Sequence, residues 1–219
     1  MIPKIIHHVW PGADPFKEKF YNFRLSWMKN HPDWTFYFWR LDNLPQKFNK
    51  EIKEILFNTA YSVTPKSDLL RFEILRLFGG IYVDTDMESI KSIECFANLD
   101  FFTGYEDDRG TICPSLIGSI PNHDILSNVI KKSLDNIKNN SIEYANRKPN
   151  VVTGVQPFTE TVTEYMPNNG IKVFSKDYFY PIYYKEKDKL YVETPNSFAK
   201  HHWSGMDSDG WVNQRNFSV

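Results

Sequence analysis

The chain is 219 residues long with 26 basic and 27 acidic side chains, leaving a formal net charge of −1. That length suits one sizeable domain, and a composition 41% hydrophobic and 24% charged excludes a disordered chain. A near-neutral charge provides no field to gather nucleic acid, so no nucleic-acid partner is expected. Aromatic residues stand in excess at 16%. They could line a groove for sugars or bases, but most single rings are expected to build a core. Cys95 and Cys113 match no zinc or redox spacing, which favours a reducing compartment. The opening Met1-Ile2-Pro3-Lys4-Ile5 lacks the features of a signal peptide, and no apolar run approaches the roughly 18–20 residues that span a bilayer. The expectation is a cytoplasmic protein with membrane contact at most peripheral.

Residues 2–10 read as a short strand of bulky side chains, followed by the turn signal Pro11-Gly12. Over 16–30, Phe16, Phe20, Phe23 and Trp27 recur at spacings of three and four, which predicts a helix. His31-Pro32-Asp33 breaks it before a second strand at 34–39, and 47–58 return to helix. This alternation predicts an α/β sheet with parallel strands. Thr64 is placed to cap a third helix, with Pro65 at its first position and apolar residues around most of it through Phe78. Gly79-Gly80 ends that helix. Ile81-Tyr82-Val83 then forms a short strand that delivers Asp84-Thr85-Asp86 at its C-terminal end, the edge where open α/β sheets bind ligands. Further along, 101–105 and 115–119 are strand candidates, and 123–145 reads as one helix stopped by Lys148-Pro149. Residues 171–184 alternate aromatic and polar side chains as an edge strand or hairpin would, and the charged run 185–189 reads as a solvated tip. With no linker or repeat, residues 1–219 read as one domain.

Asp84 and Asp86 are the residues with the clearest chemistry. In an extended chain, positions i and i+2 project to the same side, so both carboxylates can face one ligand. Two hard anionic groups on one side suit Mg²⁺ or Mn²⁺ while the ion also holds diphosphate oxygens. A bare Asp-x-Asp more often marks a solvated turn. Asp68 and Arg71 add context, three apart on one face of the preceding helix. They are either a structural ion pair or a fork that reaches hydroxyls and phosphate in a pocket.

Ser67-Asp68-Leu69-Leu70-Arg71 followed by Gly79-Gly80-Ile81-Tyr82-Val83-Asp84-Thr85-Asp86 resembles the SDxxR…GGxYxDxD signature of sugar-transferring enzymes. The opening Ile2 to Trp10 and the segment Ser26-Trp27…Pro32-Asp33-Trp34 are similar to the N-terminal half of glycosyltransferase family 32. That family includes yeast initiating α-1,6-mannosyltransferases and bacterial capsular polysaccharide enzymes. The catalytic domains of clostridial glucosylating toxins share the central signature. The resemblance is dense over residues 2–90 and patchy beyond. It implies a single GT-A-like, Rossmann-related domain with a mixed central sheet flanked by helices. It also implies a metal-dependent, retaining transfer of sugar from a nucleoside-diphosphate sugar (a UDP- or GDP-sugar) to a hydroxyl of a saccharide, glycolipid or protein acceptor.

Carried over by position, the resemblance makes Asp86 a direct ligand of Mn²⁺ or Mg²⁺. Asp84 would act through water or on the donor's ribose or sugar. Asp68 and Arg71 would hold donor hydroxyls, Tyr82 would lie near the donor, and Trp10 would stack on the base. Lys200-His201-His202-Trp203-Ser204 resembles a late His-rich segment, and His202 is the candidate ligand there, since neutral imidazole suits Mn²⁺. Ser119-Ile120-Pro121-Asn122-His123 and Val152-Thr153-Gly154-Val155-Gln156-Pro157 resemble further family elements more loosely, and ordinary turn chemistry accounts for both. Glu106, Asp107 and Asp108 are candidates for acceptor contact only.

Two other readings compete. A haloacid-dehalogenase-type phosphotransferase also sets Asp-x-Asp after an apolar strand, but it wants Thr or Val where this chain has Glu88, and it wants the motif near the start of its domain. A non-catalytic carbohydrate-binding module would explain the aromatics and a metal. It would not explain a buried helix presenting Asp68 and Arg71 beside Asp84 and Asp86.

Overall fold

A computed structural model of the chain describes residues 1–13, 16, 18–166, 168–183, 185, 193–204, 206–207 and 210–211. The first half follows the predicted alternation closely. It runs β1 (Ile5–Val9), α1 (Glu18–Asn30), β2 (Thr35–Trp39), α2 (Lys50–Phe57), α3 (Val63–Phe78), β3 (Gly80–Val83) and the short β4 (Met87–Ser89). The second half adds β5 (Phe101–Tyr105), β6 (Ile112–Ser119), α4 (Asp124–Lys138), α5 (Ile142–Arg147), α6 (Pro149–Val152), α7 (Val155–Tyr165), β7 (Ile171–Phe174), α8 (Lys176–Phe179) and β8 (Ala199–His201). A two-residue pair, β9 (Met206–Asp207) and β10 (Gly210–Trp211), follows.

Six strands form one sheet in the order β2-β1-β3-β6-β5-β7. The β1–β2, β1–β3 and β5–β7 pairs are parallel, whereas β6 runs antiparallel to both β3 and β5. The parallel reading of the strand–helix alternation therefore fails at β6, while the mixed sheet that the family resemblance implied is what forms. The reason is local: only the short loop 106–111 joins β5 to β6, and so short a link permits a hairpin but not a crossover. Five strands thus end at one common edge, where β6 begins.

Alternation along each strand feeds two cores. Tyr82 and Ile117 pack with α3, α4 and α7, while Ile81, Val83 and Leu116 pack on the other face with Trp27, Met87, Phe179 and Ala199. Burial on both faces is why β3 carries no polar residue. Much of the aromatic excess is spent here, with Phe96 within 4.5 Å of Phe174 and 4.7 Å of Phe198, ring centre to ring centre.

Three boundaries differ from the sequence reading. Helix α3 begins at Val63 after Ser62, so Thr64 is not its cap and Pro65 lies in the first turn, where a missing N–H costs nothing. The expected helix 123–145 breaks after Lys138, because Asn139, Asn140 and Ser141 offer the backbone local partners. Ser141 restarts it as α5 by accepting from the Tyr144 N–H at 3.1 Å. Pro149 then opens α6 instead of ending a helix. Residues 171–184 yield only the edge strand β7 before α8. Tyr184 and the charged positions 186–189 lie outside the described residues.

Candidate metal and donor site

Helix α3 reverses into β3 at Gly79 and Gly80, whose φ values of 61° and 93° are open to glycine and strained for other residues. The reversal brings Asp84 to the edge where Trp10 leaves β1 and Glu106 leaves β5. Asp84-Thr85-Asp86 is not extended there. The Met87 N–H donates to the Asp84 carbonyl at 3.1 Å, closing a turn. The two carboxylates converge because the chain bends, not because a strand alternates.

Asp86 is gripped from the late segment. His201 Nε2 lies 3.0 Å from its Oδ1, the Ser204 N–H donates to Oδ2 at 2.7 Å, and the His202 N–H donates to its carbonyl at 3.0 Å. Burial would raise the Asp86 pKa, but His201 and these donors outweigh it and hold the carboxyl below the ordinary range. Burial likewise opposes a charged His201, and the Asp86 carboxylate outweighs it and raises the imidazole pKa. One ligand atom each from Asp84, Asp86 and His201 lie within 4.8 Å of one another. His201 Nδ1 is buried and has no hydrogen-bond partner. Nε2 is the imidazole atom that converges with the two carboxylates, and with the ring proton on Nδ1 it offers a lone pair, so the three residues fit a divalent cation.

The imidazole that meets the two carboxylates is that of His201, whereas the sequence reading pointed to His202. Pairing of β8 against β4 sets His201 opposite Met87. His202 faces elsewhere, with Nε2 2.9 Å from Glu88 Oε2 and its ring stacked on Phe23 at 4.1 Å. Neighbours in an extended segment point to opposite sides, and the sequence does not say which of the two turns inward.

Asp68, Arg71, Tyr82 and Asp84 form one connected group behind the pair. Arg71 Nη1 lies 3.2 Å from Asp84 Oδ1 and donates to the Pro114 carbonyl at 3.0 Å, while Nη2 lies 3.3 Å from Asp68 Oδ1. The guanidinium sits 4.8 Å from the Tyr82 ring centre, and the Tyr82 hydroxyl donates to Asp84. The Thr153 hydroxyl donates to Asp68 Oδ2 at 2.8 Å. Burial pushes the Asp68 pKa up to about 6 despite Arg71 and Thr153. Asp68 and Arg71 are only 4% and 6% exposed, and Tyr82 2%. These buried residues bear directly on Asp84, Arg71 by ion pair and Tyr82 by hydrogen bond.

Thr153 is the member that residue types alone do not reveal. Its signal was the Thr-Gly step at 153–154, and a Cβ on Gly154 would come within 3.0 Å of Asp68 Oδ2. The other loosely family-like segment is structural, since His123 caps α4 by accepting from the Ile125 N–H. At the far side of the edge, the Trp10 ring rests on Phe16 and Phe20 at 5.2 and 5.7 Å and is partly exposed. No helix of the described residues is long and apolar enough to cross a membrane.

The chain is similar to known proteins in sequence and in fold. Residues 17–103 match the family described as a glycosyltransferase sugar-binding region containing a DXD motif. An uncharacterised glycosyltransferase of Acanthamoeba polyphaga mimivirus is 29% identical over 93% of this chain and 83% of its own length. A mannosyl phosphorylinositol ceramide synthase of Saccharomyces cerevisiae is 30% identical over 64% of this chain but only 37% of its own length. Among solved structures, the PaToxG glycosyltransferase superposes with a TM-score of 0.59 at 17% identity, over 76% of this chain and 70% of that one. With a DXD pair at the end of β3 in a mixed GT-A sheet, residues 17–103 carry the DXD-containing glycosyltransferase region, and the chain resembles those enzymes, akin to family 32.

Proposed function

We propose that the chain is a metal-dependent, retaining glycosyltransferase that moves a sugar from a UDP- or GDP-sugar to an acceptor hydroxyl in surface polysaccharide or glycan synthesis. The observation that carries the metal is the convergence of Asp84, Asp86 and His201, one ligand atom from each lying within 4.8 Å of the others. Asp86 and His201 are the direct ligands in this reading, and Asp84 acts through water or on the donor. Mn²⁺ or Mg²⁺ held there supplies charge neutralisation for the departing diphosphate. Arg71 fixes the Asp84 carboxylate by ion pair and Tyr82 fixes it by hydrogen bond, so the group is organised before the donor arrives. Asp68, held by Arg71 and Thr153, shapes the floor beneath the sugar. Trp10 offers a partly exposed ring for the base.

Retention of configuration follows the family resemblance. The acceptor is a saccharide, a glycolipid or a protein. The free thiols of Cys95 and Cys113 suit a reducing, cytoplasmic setting with at most peripheral membrane contact. The test is acceptor-free hydrolysis of a panel of UDP- and GDP-sugars with Mn²⁺ and with chelator. The expected result is release of nucleotide from one donor, abolished by chelation. Absence of both hydrolysis and metal-dependent donor binding by calorimetry would overturn the proposal in favour of a binding module.

A further inference from the structure

Strand β2 ends the sheet on one side, and no strand among the described residues pairs with its outer edge. Edges of this kind are ordinarily blunted by charge, proline or a bulge. The sequence of β2, Thr-Phe-Tyr-Phe-Trp, carries neither charge nor proline, and its register against β1 runs without a bulge. Which of its backbone groups lie free follows from that pairing. The Thr35 N–H donates to the Lys4 carbonyl at 3.0 Å, and the Trp39 carbonyl accepts from the Trp10 N–H at 2.8 Å. Backbone groups at 35, 37 and 39 therefore face β1, and those at 34, 36 and 38 face outward.

Two of the outward groups are already satisfied. The Trp34 N–H donates to the His31 carbonyl at 3.1 Å, and Asn43 Nδ2 donates to the Phe38 carbonyl at 2.9 Å. The Trp34 carbonyl, both groups of Phe36 and the Phe38 N–H have no partner among the described residues. These four groups complement themselves. An antiparallel copy of β2, related by a two-fold axis at Phe36, exchanges both Phe36 bonds with its own Phe36. The same register sets each Phe38 N–H on the Trp34 carbonyl of the other copy. The groups it would leave idle, the Trp34 N–H and the Phe38 carbonyl, are the two already satisfied. A foreign strand has no reason to match that pattern, whereas a two-fold axis imposes it.

Side chains and charges agree with this register. Exposed Tyr37, held against Trp39 and His7 with ring centres 5.2 and 5.9 Å away, comes opposite exposed Thr35 of the other copy. Aromatic and β-branched residues are favoured cross-strand partners. Exposed Asp33 precedes the strand and half-buried Arg40 follows it. Antiparallel pairing brings Arg40 of each copy alongside Asp33 of the other, so opposite charges meet at both ends. A five-residue strand is a small contact, and a stable interface buries roughly 1,200 Å² or more in total. Helix α1 offers further area through Tyr21, Leu25 and Met28, an exposed apolar stripe at spacings of four and three. Phe16 joins this stripe to β2, with its ring 5.0 Å from Tyr21 and 4.9 Å from Phe38.

We propose that the β2 edge is a homodimer interface, at which a second copy of this chain continues the sheet across a two-fold axis at Phe36. The two metal sites then open toward opposite ends of the joined sheet, because each lies where its own parallel strands end. The interface does not depend on the transferase reading, and its test involves no sugar.

Sedimentation velocity over a series from low to high micromolar concentration tests it. The wild-type chain is expected to show a reversible monomer–dimer equilibrium. Arg40→Glu and Asp33→Lys should each weaken the dimer about tenfold, since two rim ion pairs become repulsions, with the circular dichroism spectrum unchanged. An equimolar mixture of the two variants should dimerise as the wild type does, because the reversed charge on each then meets an opposite charge on the other. A wild-type chain that stays monomeric throughout the series, a dimer indifferent to both reversals, or a mixture no tighter than the single variants would overturn the proposal.

Discussion

Arg71 reaches Asp68, Asp84 and the Pro114 carbonyl at once, and its Nε donates to the Ser67 carbonyl at 3.3 Å. A planar fork can satisfy this set, whereas a point charge cannot. Removing it would strand two acidic groups, one of them almost fully buried, beside each other. Arg71→Met is therefore expected to cost about 3–5 kcal/mol of stability, the range for breaking a buried pair. Adding Asp68→Asn should return part of that loss, and a double-mutant cycle by urea unfolding measures how much. If Arg71→Met unfolds at the wild-type midpoint, the network is not what holds Asp84. Tyr82 reads the same way at this scale. Its place in the signature implied a position near the donor; its hydroxyl donates to Asp84 and its ring lies under the guanidinium.

At the scale of elements, the turn from α3 into β3 decides where the carboxylates lie. A Cβ on Gly80 would sit 2.7 Å from the Ile5 carbonyl and 3.0 Å from His7 Nε2, at a φ that side chains resist. Gly80→Ala should destabilise the fold by about 2–4 kcal/mol through strain and overpacking. A denaturant midpoint unchanged from the wild type would contradict that account. This turn, α3 and β3 were legible in the sequence because glycine pairs, apolar periodicity and short strands are local signals. Parallel pairing of β1, β2 and β3 was legible for the same reason. The antiparallel β6 was not, since it depends on how short a loop follows β5. Nor was the choice between His201 and His202, which depends on β8 pairing with β4 across more than a hundred residues. Convergence of Asp84 and Asp86 was anticipated, but through strand alternation, whereas a turn achieves it.

For the molecule as a whole, buried histidines set the response to acid. His7 Nε2–H donates to the Gly79 carbonyl at 2.9 Å, and Nδ1 accepts from Trp39 Nε1–H at 3.0 Å, so this ring must stay neutral. Burial lowers its pKa to about 4 and that of His8 to about 3. Both values lie below that of the unfolded chain, which therefore binds protons first as pH falls, and stability declines from about pH 6.5 toward pH 4. Asp68 acts in the opposite sense. Its raised pKa makes the native state bind a proton first between about pH 6 and pH 4, which adds stability there. Two histidines each withdraw about 2 kcal/mol between pH 7 and pH 5 while Asp68 returns about 1, so the histidines win. Denaturant unfolding at the two pH values should show a net loss of about 3 kcal/mol. A gain toward pH 5 would contradict the assignment of neutral His7 and His8.

The divalent-cation site is the claim on which the rest depends, and Mn²⁺ titration followed by electron paramagnetic resonance tests it without any sugar. The wild-type chain is expected to bind Mn²⁺, and Asp86→Asn and His201→Ala to lose that binding while keeping the wild-type circular dichroism spectrum. His202→Ala, whose imidazole is committed to Glu88, should bind as the wild type does. Loss of binding on His202→Ala with retention on His201→Ala, or equal binding by Asp86→Asn, would contradict the site.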